Sequence, residues 1–421
     1  ECTEADLDAQ LHRASEYGID ITTEIPLRPS LFRLGPDDHV LLLLTHHIAT
    51  DEWSDGPLLG DLAIAYRARA AGQAPHWEPL PVSYADYTRW QQQLLGSSDD
   101  PSSVAGAQLK YWRSTLDGAP VELAWPSTRA RPAAPSHRGA TVLFSLSPQL
   151  SDGVRDLVRR SGTTPFMVMQ AAVAVLAAKL GAGEDIPLGV PVAGRSDDAL
   201  DGLVGFFVNT LVLRTDVSGN PTVTELLARV RSCALDAFAH QDIPFEQLVE
   251  ALNPPRHPGR HPLFQVMVSY QHRDDVAADL DGIAVTECEI ADASAKFDLA
   301  FDFSESESES DSGIGGVLQY ATDLFDRPSA ESLAERLRHI LAGLVADPDR
   351  RLSTIDVLGT VERHAVLVEH NDTASGVPAH TFPEFFAQQV QARPGAVAVV
   401  CEADSLTYAE LGAAANRVAQ G

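Results

Sequence analysis

Residues Leu41 to Gly56, LLLLTHHIATDEWSDG, hold the chain to a narrow set of folds. An apolar run of strand length stops at two adjacent histidines, His46 and His47, and an aspartate, Asp51, follows four residues after the second. A buried strand that ends in a polar turn holds its terminal side chains rigidly. Histidine is the side chain best suited to moving a proton near neutral pH. Asp51 could orient an imidazole or lock the turn through an arginine elsewhere. On the residues alone, a surface turn with two incidental histidines is an open alternative. A zinc site is the weaker reading, because no Cys or His cluster lies nearby to supply the third and fourth ligands.

At 421 residues the chain calls for two or three domains. The formal charge is −28, from 59 acidic against 31 basic residues, and such a surface repels phosphate backbones and anionic membranes. Neither a nucleic-acid nor a membrane partner is therefore expected. No apolar run is long enough to span a bilayer, and no signal-peptide pattern opens the chain. With its four widely spaced cysteines, it is expected in the cytoplasm with reduced thiols.

The periodicity predicts strands at 30–34 and 39–45, then a helix over 58–71 that ends before Gly72. A second helix opens in PVSYADYTRW, where Tyr84, Tyr87 and Trp90 share one face and are expected to pack on a core. A Pro-rich connector, 120–135, is the expected boundary between two lobes. The second lobe reads as strands at 140–146, 186–190, 263–270, 297–303 and 315–322. Helices are expected over 147–161, 164–180, 222–239 and 328–346. The Ser/Glu tract 304–312 has no apolar residue to bury and reads as a mobile hairpin tip. After Ile355 a linker leads to a helix, a strand and the start of another helix.

The order of the motifs is more specific than any one of them. HHIATDEWS (46–54), YADYTRW (84–90), VGFFVNTLVLR (204–214), HQDIPFE (240–246) and RHPLFQV (260–266) succeed one another over about residues 1–355. In this they resemble the condensation domains of non-ribosomal peptide synthetases, members of the chloramphenicol acetyltransferase-like superfamily whose signature is HHxxxDG. LTYAEL (406–411) is similar to an early motif of adenylation domains. Two departures stand out. The glycine usual after the motif aspartate is Glu52, and the adenylation part has neither nucleotide-binding nor catalytic motifs, so by itself it is not expected to activate an amino acid.

The resemblance implies an α/β fold of two chloramphenicol acetyltransferase-like lobes in a V, the N-terminal lobe incomplete here because the family has two motifs ahead of the histidines. It implies a partial N-terminal lobe at 1–125, a C-terminal lobe at 126–355, a linker at 356–380 and an adenylation fragment at 381–421. A tunnel would admit two carrier proteins, each presenting a thioester on a 4'-phosphopantetheine arm. The implied partners are thus an upstream donor carrier, a downstream acceptor carrier and the adjoining adenylation domain. The resemblance implies neither a directly bound cofactor nor a metal.

The implied reaction is attack of an acceptor amine on a donor thioester. A thioester is already activated, so alignment and one proton transfer carry the catalysis. His47 is the implied catalytic residue, as base or as hydrogen-bonding positioner. His46 is expected to be structural, Asp51 to pair with a buried arginine (Arg195 being the candidate), and Asn209 to tie a crossing segment in place. Glu52, Trp53 and Ser54 are tunnel-lining candidates. Three other readings stand beside condensation. One is a catalytically silent docking module and another is an epimerisation domain, against which VGFFVNT and HQDIPFE argue. The third is a free-standing acyltransferase using coenzyme A. Heterocyclisation is excluded by the two histidines, which that class replaces with aspartate.

Overall fold

The computed structural model describes residues 2–273, 280, 282–286, 288, 294–306, 313–376, 379–402 and 404–421. Most of the Ser/Glu tract expected to form a hairpin tip, residues 307–312, lies outside them. The chain forms two compact units, 1–359 and 360–421.

The first unit begins with helix α1 (Glu4–Ser15) and a hairpin of β1 (Leu27–Arg33) and β2 (His39–Thr45), in the register Leu27 to Thr45. β1 starts three residues before the strand expected from sequence and includes Pro29, opposite Leu43. A proline is tolerated there because each strand of a two-stranded sheet keeps an open edge that needs no N–H donor. Helices α2 (Asp55–Ala70), α3 (Tyr84–Leu95) and α4 (Val104–Leu116) follow.

The main core surrounds a six-stranded mixed sheet. Its strands are β3 (Gly139–Ser145), β4 (Asp185–Val192), β5 (Asn209–Asp216), β6 (Val266–Arg273), β7 (Leu299–Ser306) and β8 (Gly313–Ala321). Their order is β3-β8-β7-β6-β4-β5, with β6 parallel to both β4 and β7 and the other pairs antiparallel. Helices α5 (Pro148–Ser161), α6 (Pro165–Lys179), α7 (Val223–Phe238), α8 (Phe245–Leu252) and α9 (Arg327–Ala346) complete this unit.

α6 shows why the core sits where it does. From Met167 to Ala177 every residue is buried, and a helix that is apolar all round must be enclosed. Pro165 at its first turn and the Thr164 hydroxyl, which accepts from the Met167 amide, fix its start. Its one polar interior residue, Gln170, donates to the Thr215 hydroxyl on β5 at 2.9 Å. Among the described residues no single helix is long and apolar enough to cross a membrane.

The Pro-rich connector is held against the sheet. Leu123 and Trp125 are buried, the Leu123 amide donates to Gln265, and Arg131 grips Asp298 with both terminal nitrogens.

The second unit contains α10 (Thr360–Leu367), α11 (Phe382–Ala392), a hairpin of β9 (Val397–Cys401) and β10 (Asp404–Thr407), and α12 (Tyr408–Gln420). The segment 406–411 passes from β10 into α12 through a reciprocal cap between Thr407 and Glu410.

Candidate active site

β2 hands the chain directly to the histidines. A 3₁₀ turn, His47–Ala49, follows, and His46 caps it by accepting the Ile48 amide on Nδ1 at 3.1 Å. His47 Nδ1 lies 2.8 Å from the Thr50 carbonyl oxygen. A carbonyl can only accept, so in the neutral imidazole the His47 proton sits on Nδ1 and the Nε2 lone pair is free. The Nδ1 of His46 is the acceptor, so its proton sits on Nε2. Two adjacent histidines therefore hold opposite tautomers, and His47 has the one suited to receiving a proton. The His47 ring is exposed, and the Phe206 ring meets it edge-on, with centroids 4.9 Å apart and planes at 90°.

Asp51 is 3% exposed and all its polar capacity is used. One carboxylate oxygen accepts the backbone amides of Phe207 (2.8 Å) and Val208 (3.1 Å). The other faces Arg195 Nη2 at 3.2 Å and the Ser54 hydroxyl at 2.8 Å. Arg195 also donates to the Leu200 carbonyl, and its guanidinium lies 4.1 Å from the centre of the Phe207 ring. Gly194 places it there. That residue has φ +66° and sits where a Cβ would come within 2.0 Å of the Phe207 carbonyl oxygen.

Ser54, a tunnel-lining candidate from the sequence, has no accessible surface and so lines no open channel. Its hydroxyl lies at the junction of two chain segments. It accepts from the Gly205 amide at 3.1 Å and from Arg195 at 3.0 Å, and its single proton serves Asp51 or the Gly205 carbonyl. Trp53 is 40% exposed. Glu52 is also exposed, and its carboxylate accepts from the side-chain amide of Gln271 on β6.

The crossing segment 204–208 packs on α3. Of the three aromatic residues expected in a core, only Tyr87 is buried, in a small cluster with Leu200, Leu203 and Phe207. Trp90 is 42% exposed, on the outer side of Tyr87. Tyr84 is 37% exposed because its hydroxyl reaches out to the Phe206 carbonyl, at 2.6 Å. Burial, aided by the charge of Asp51, holds that phenol above its ordinary value, so it is a donor at neutral pH. Burial pushes Tyr87 up to about 12. Gly205 lets the Tyr84 ring approach, since a Cβ there would lie 2.5 Å from a ring carbon.

Asn209 opens β5 with its side chain fully used. It donates to the carbonyls of Gln241 and Ile243, both at 2.8 Å, and accepts from the amides of Thr210 and Phe245. It thereby joins the sheet to the loop before α8. His240 stacks on Tyr111 at 3.8 Å and Asp242 accepts from Gln108, so both shape that loop. Sequence reading missed Phe206, the hydroxyl role of Tyr84, and Gln271. The first two lay inside quoted motifs, but nothing in those motifs says which ring faces a histidine. Gln271 lay in no motif at all.

A condensation-domain family profile matches residues 1–367. A dimodular nonribosomal peptide synthase of Bacillus subtilis (strain 168) is 45% identical over 422 aligned positions, covering all of this chain and 18% of the relative. An isonitrile lipopeptide synthase of Mycobacterium tuberculosis is 44% identical over 98% of this chain and 17% of its own length. The chain thus spans less than a fifth of these relatives. Among solved structures, the X-domain from teicoplanin biosynthesis is 37% identical with a TM-score of 0.78, covering 85% of this chain and 80% of that one. A four-domain nonribosomal peptide synthetase gives a TM-score of 0.80 at 24% identity, over 99% of this chain and 32% of that one, a likeness of fold.

Proposed function

The chain belongs to the condensation-domain family, and from that premise we propose that it joins a donor acyl or peptidyl thioester to the amine of an acceptor aminoacyl thioester. Both substrates would ride on 4'-phosphopantetheine arms of carrier proteins, within a non-ribosomal peptide synthetase. The acceptor nitrogen attacks the thioester carbonyl, the C–N bond forms and the C–S bond breaks. The proton lost by the amine passes to His47 Nε2 and leaves with the thiol.

The observation that carries this reading is the His47 tautomer. With Nδ1–H tied to the Thr50 carbonyl, Nε2 is a free acceptor on an exposed edge of the turn. No covalent nucleophile is needed, because the thioester is already activated. A base at the reacting amine contributes on the order of 10²–10⁴-fold.

The proposed organisation is an N-terminal lobe at 1–125, a C-terminal lobe at 126–355, a linker at 356–380 and an adenylation-like segment at 381–421. Partners are then the upstream donor and downstream acceptor carriers and the adjoining adenylation domain. A cytoplasmic location fits substrates held on carrier proteins.

The test is a condensation assay with donor and acceptor carriers each loaded with an aminoacyl thioester. Peptide on the acceptor arm, read by mass spectrometry of the released arm, is the expected result. Carriers that bind but exchange no acyl group would replace this reading with that of a silent docking module.

A further inference from the structure

We propose that Phe206 is a positioning residue for His47, held in place for that purpose by Tyr84, Ser54 and Asp51. The proposal rests on the reading of His47 as the proton acceptor and extends it to the group that aims the imidazole.

A histidine side chain has two torsions to fix. The 2.8 Å contact of Nδ1 with the Thr50 carbonyl restrains one direction only, and the ring can still swing about that bond. Phe206, perpendicular at 4.9 Å, is the ring packed against the imidazole and blocks that swing. Together the two contacts give Nε2 a fixed direction, which a reaction that depends on alignment requires.

Phe206 itself is pinned on every side of its backbone. Before it, the Gly205 amide and carbonyl both meet the Ser54 hydroxyl, at 3.1 and 2.9 Å. After it, the Phe207 and Val208 amides share one oxygen of Asp51. Its own carbonyl accepts the Tyr84 hydroxyl at 2.6 Å. Asp51 and Ser54 belong to the same turn as His47, so the turn that carries the imidazole also anchors the ring that orients it. This closed circuit gives the motif aspartate and the tyrosine of α3 one shared task.

The test compares Phe206→Ala, Phe206→Tyr and Tyr84→Phe with the parent in the full chain. Steady-state condensation on loaded carriers gives kcat and KM. Relaxation of the His47 ring carbons, assigned by the signal missing in His47→Ala, reports how freely the imidazole swings. Phe206→Ala is expected to lose about 10- to 100-fold in kcat with KM for the carriers little changed, and to free the His47 ring to swing about its Thr50 hydrogen bond. Phe206→Tyr keeps the ring and should recover most of the rate. A kcat for Phe206→Ala within about twofold of the parent, or no rescue by tyrosine in a folded variant, overturns the proposal. If the alanine variant does not fold, Tyr84→Phe decides, with a several-fold loss of kcat expected and an unchanged kcat overturning it. A parent that makes no peptide refutes the reaction instead. The mobility of the His47 ring in Phe206→Ala then decides alone, a gain supporting the positioning role and an unchanged ring overturning it.

Discussion

Arg195 and Asp51 are 144 positions apart in the chain, yet Arg195 Nη2 lies 3.2 Å from Asp51 Oδ1, with the two side chains only 6% and 1% exposed. One partner lies on the turn after β2 and the other just past the end of β4. The pair thus fastens the histidine turn to the six-stranded sheet. Desolvating two charges offsets much of their attraction, so the pair need not add net stability over an apolar substitute. Its value is geometric, since the same carboxylate also holds the amides on either side of the Phe207 peptide.

Asp51→Asn should destabilise the first unit. The amide can still accept from Phe207 and Val208, but it turns an NH₂ toward Arg195, whose buried charge then loses its carboxylate partner. Breaking one side of such a pair costs about 3–5 kcal/mol. Denaturant unfolding should show that loss, with condensation falling in proportion to the folded fraction. A variant that unfolds like the parent but is inactive would move Asp51 into the chemistry.

His47→Ala should behave in the opposite way. The side chain is exposed and makes one hydrogen bond, to a carbonyl within its own turn, so little of the fold depends on it. Peptide formation should fall by about 10²–10⁴-fold while the unfolding midpoint stays put. Unchanged peptide yield would remove His47 from the mechanism.

Asp302 gives a pH-dependent test unrelated to the histidines. It lies on β7, where its partner is the Ser269 hydroxyl at 2.6 Å, and burial raises its carboxyl above the ordinary value, with that hydrogen bond opposing. A raised acid holds its proton to higher pH in the folded chain than in the unfolded one. Its contribution is therefore fully present below the unfolded value and is lost as pH rises through the folded one. Asp302→Asn keeps an acceptor for Ser269 and removes the buried charge. The variant should be the more stable protein at pH 8, with the gap closing as pH is lowered, as followed by urea unfolding at a series of pH values. A gap that widens on acidification would reverse the assignment.

The sequence was most legible where local pattern and burial coincide. β2 is readable to the residue because its apolar run ends at His46, and α6 because only Gln170 interrupts its apolar run before Lys179. β1 was harder, since Pro29 reads as a breaker unless the strand is known to keep an open edge. The site divides in the same way. Asp51 and Arg195 could be matched because the motif resemblance implies an arginine partner for the aspartate, and a buried carboxylate needs a cation. The ring facing His47 could not be read, because which of Phe206 and Phe207 turns toward the histidine depends on Tyr84, Ser54 and Asp51 acting together over long range. Ser54 was misplaced for a similar reason. Its neighbours Glu52 and Trp53 are exposed, and it is enclosed by the crossing segment 204–208 together with Arg195.

Glu52 replaces the family's glycine, and its effect is the sharpest test of whether the site is open. The carboxylate is exposed and accepts from Gln271, so it reaches across to β6 from a turn whose backbone is already fixed by Asp51 and Ser54. An exposed carboxylate with an amide partner avoids the penalty of an unpaired buried charge. A pantetheine arm is neutral beyond its phosphate, so any obstruction by Glu52 would be steric, and a side chain facing water can swing aside. Glu52→Gly should therefore change turnover by less than about tenfold, roughly 1.4 kcal/mol in the barrier. Gln271→Ala should give a similar small change, and the double variant should not add to the singles, because both remove one contact. Condensation kinetics on loaded carriers measure all three. A gain well above tenfold for the glycine variant alone would identify Glu52 as a plug, and the silent docking module would then be the better description of the native chain.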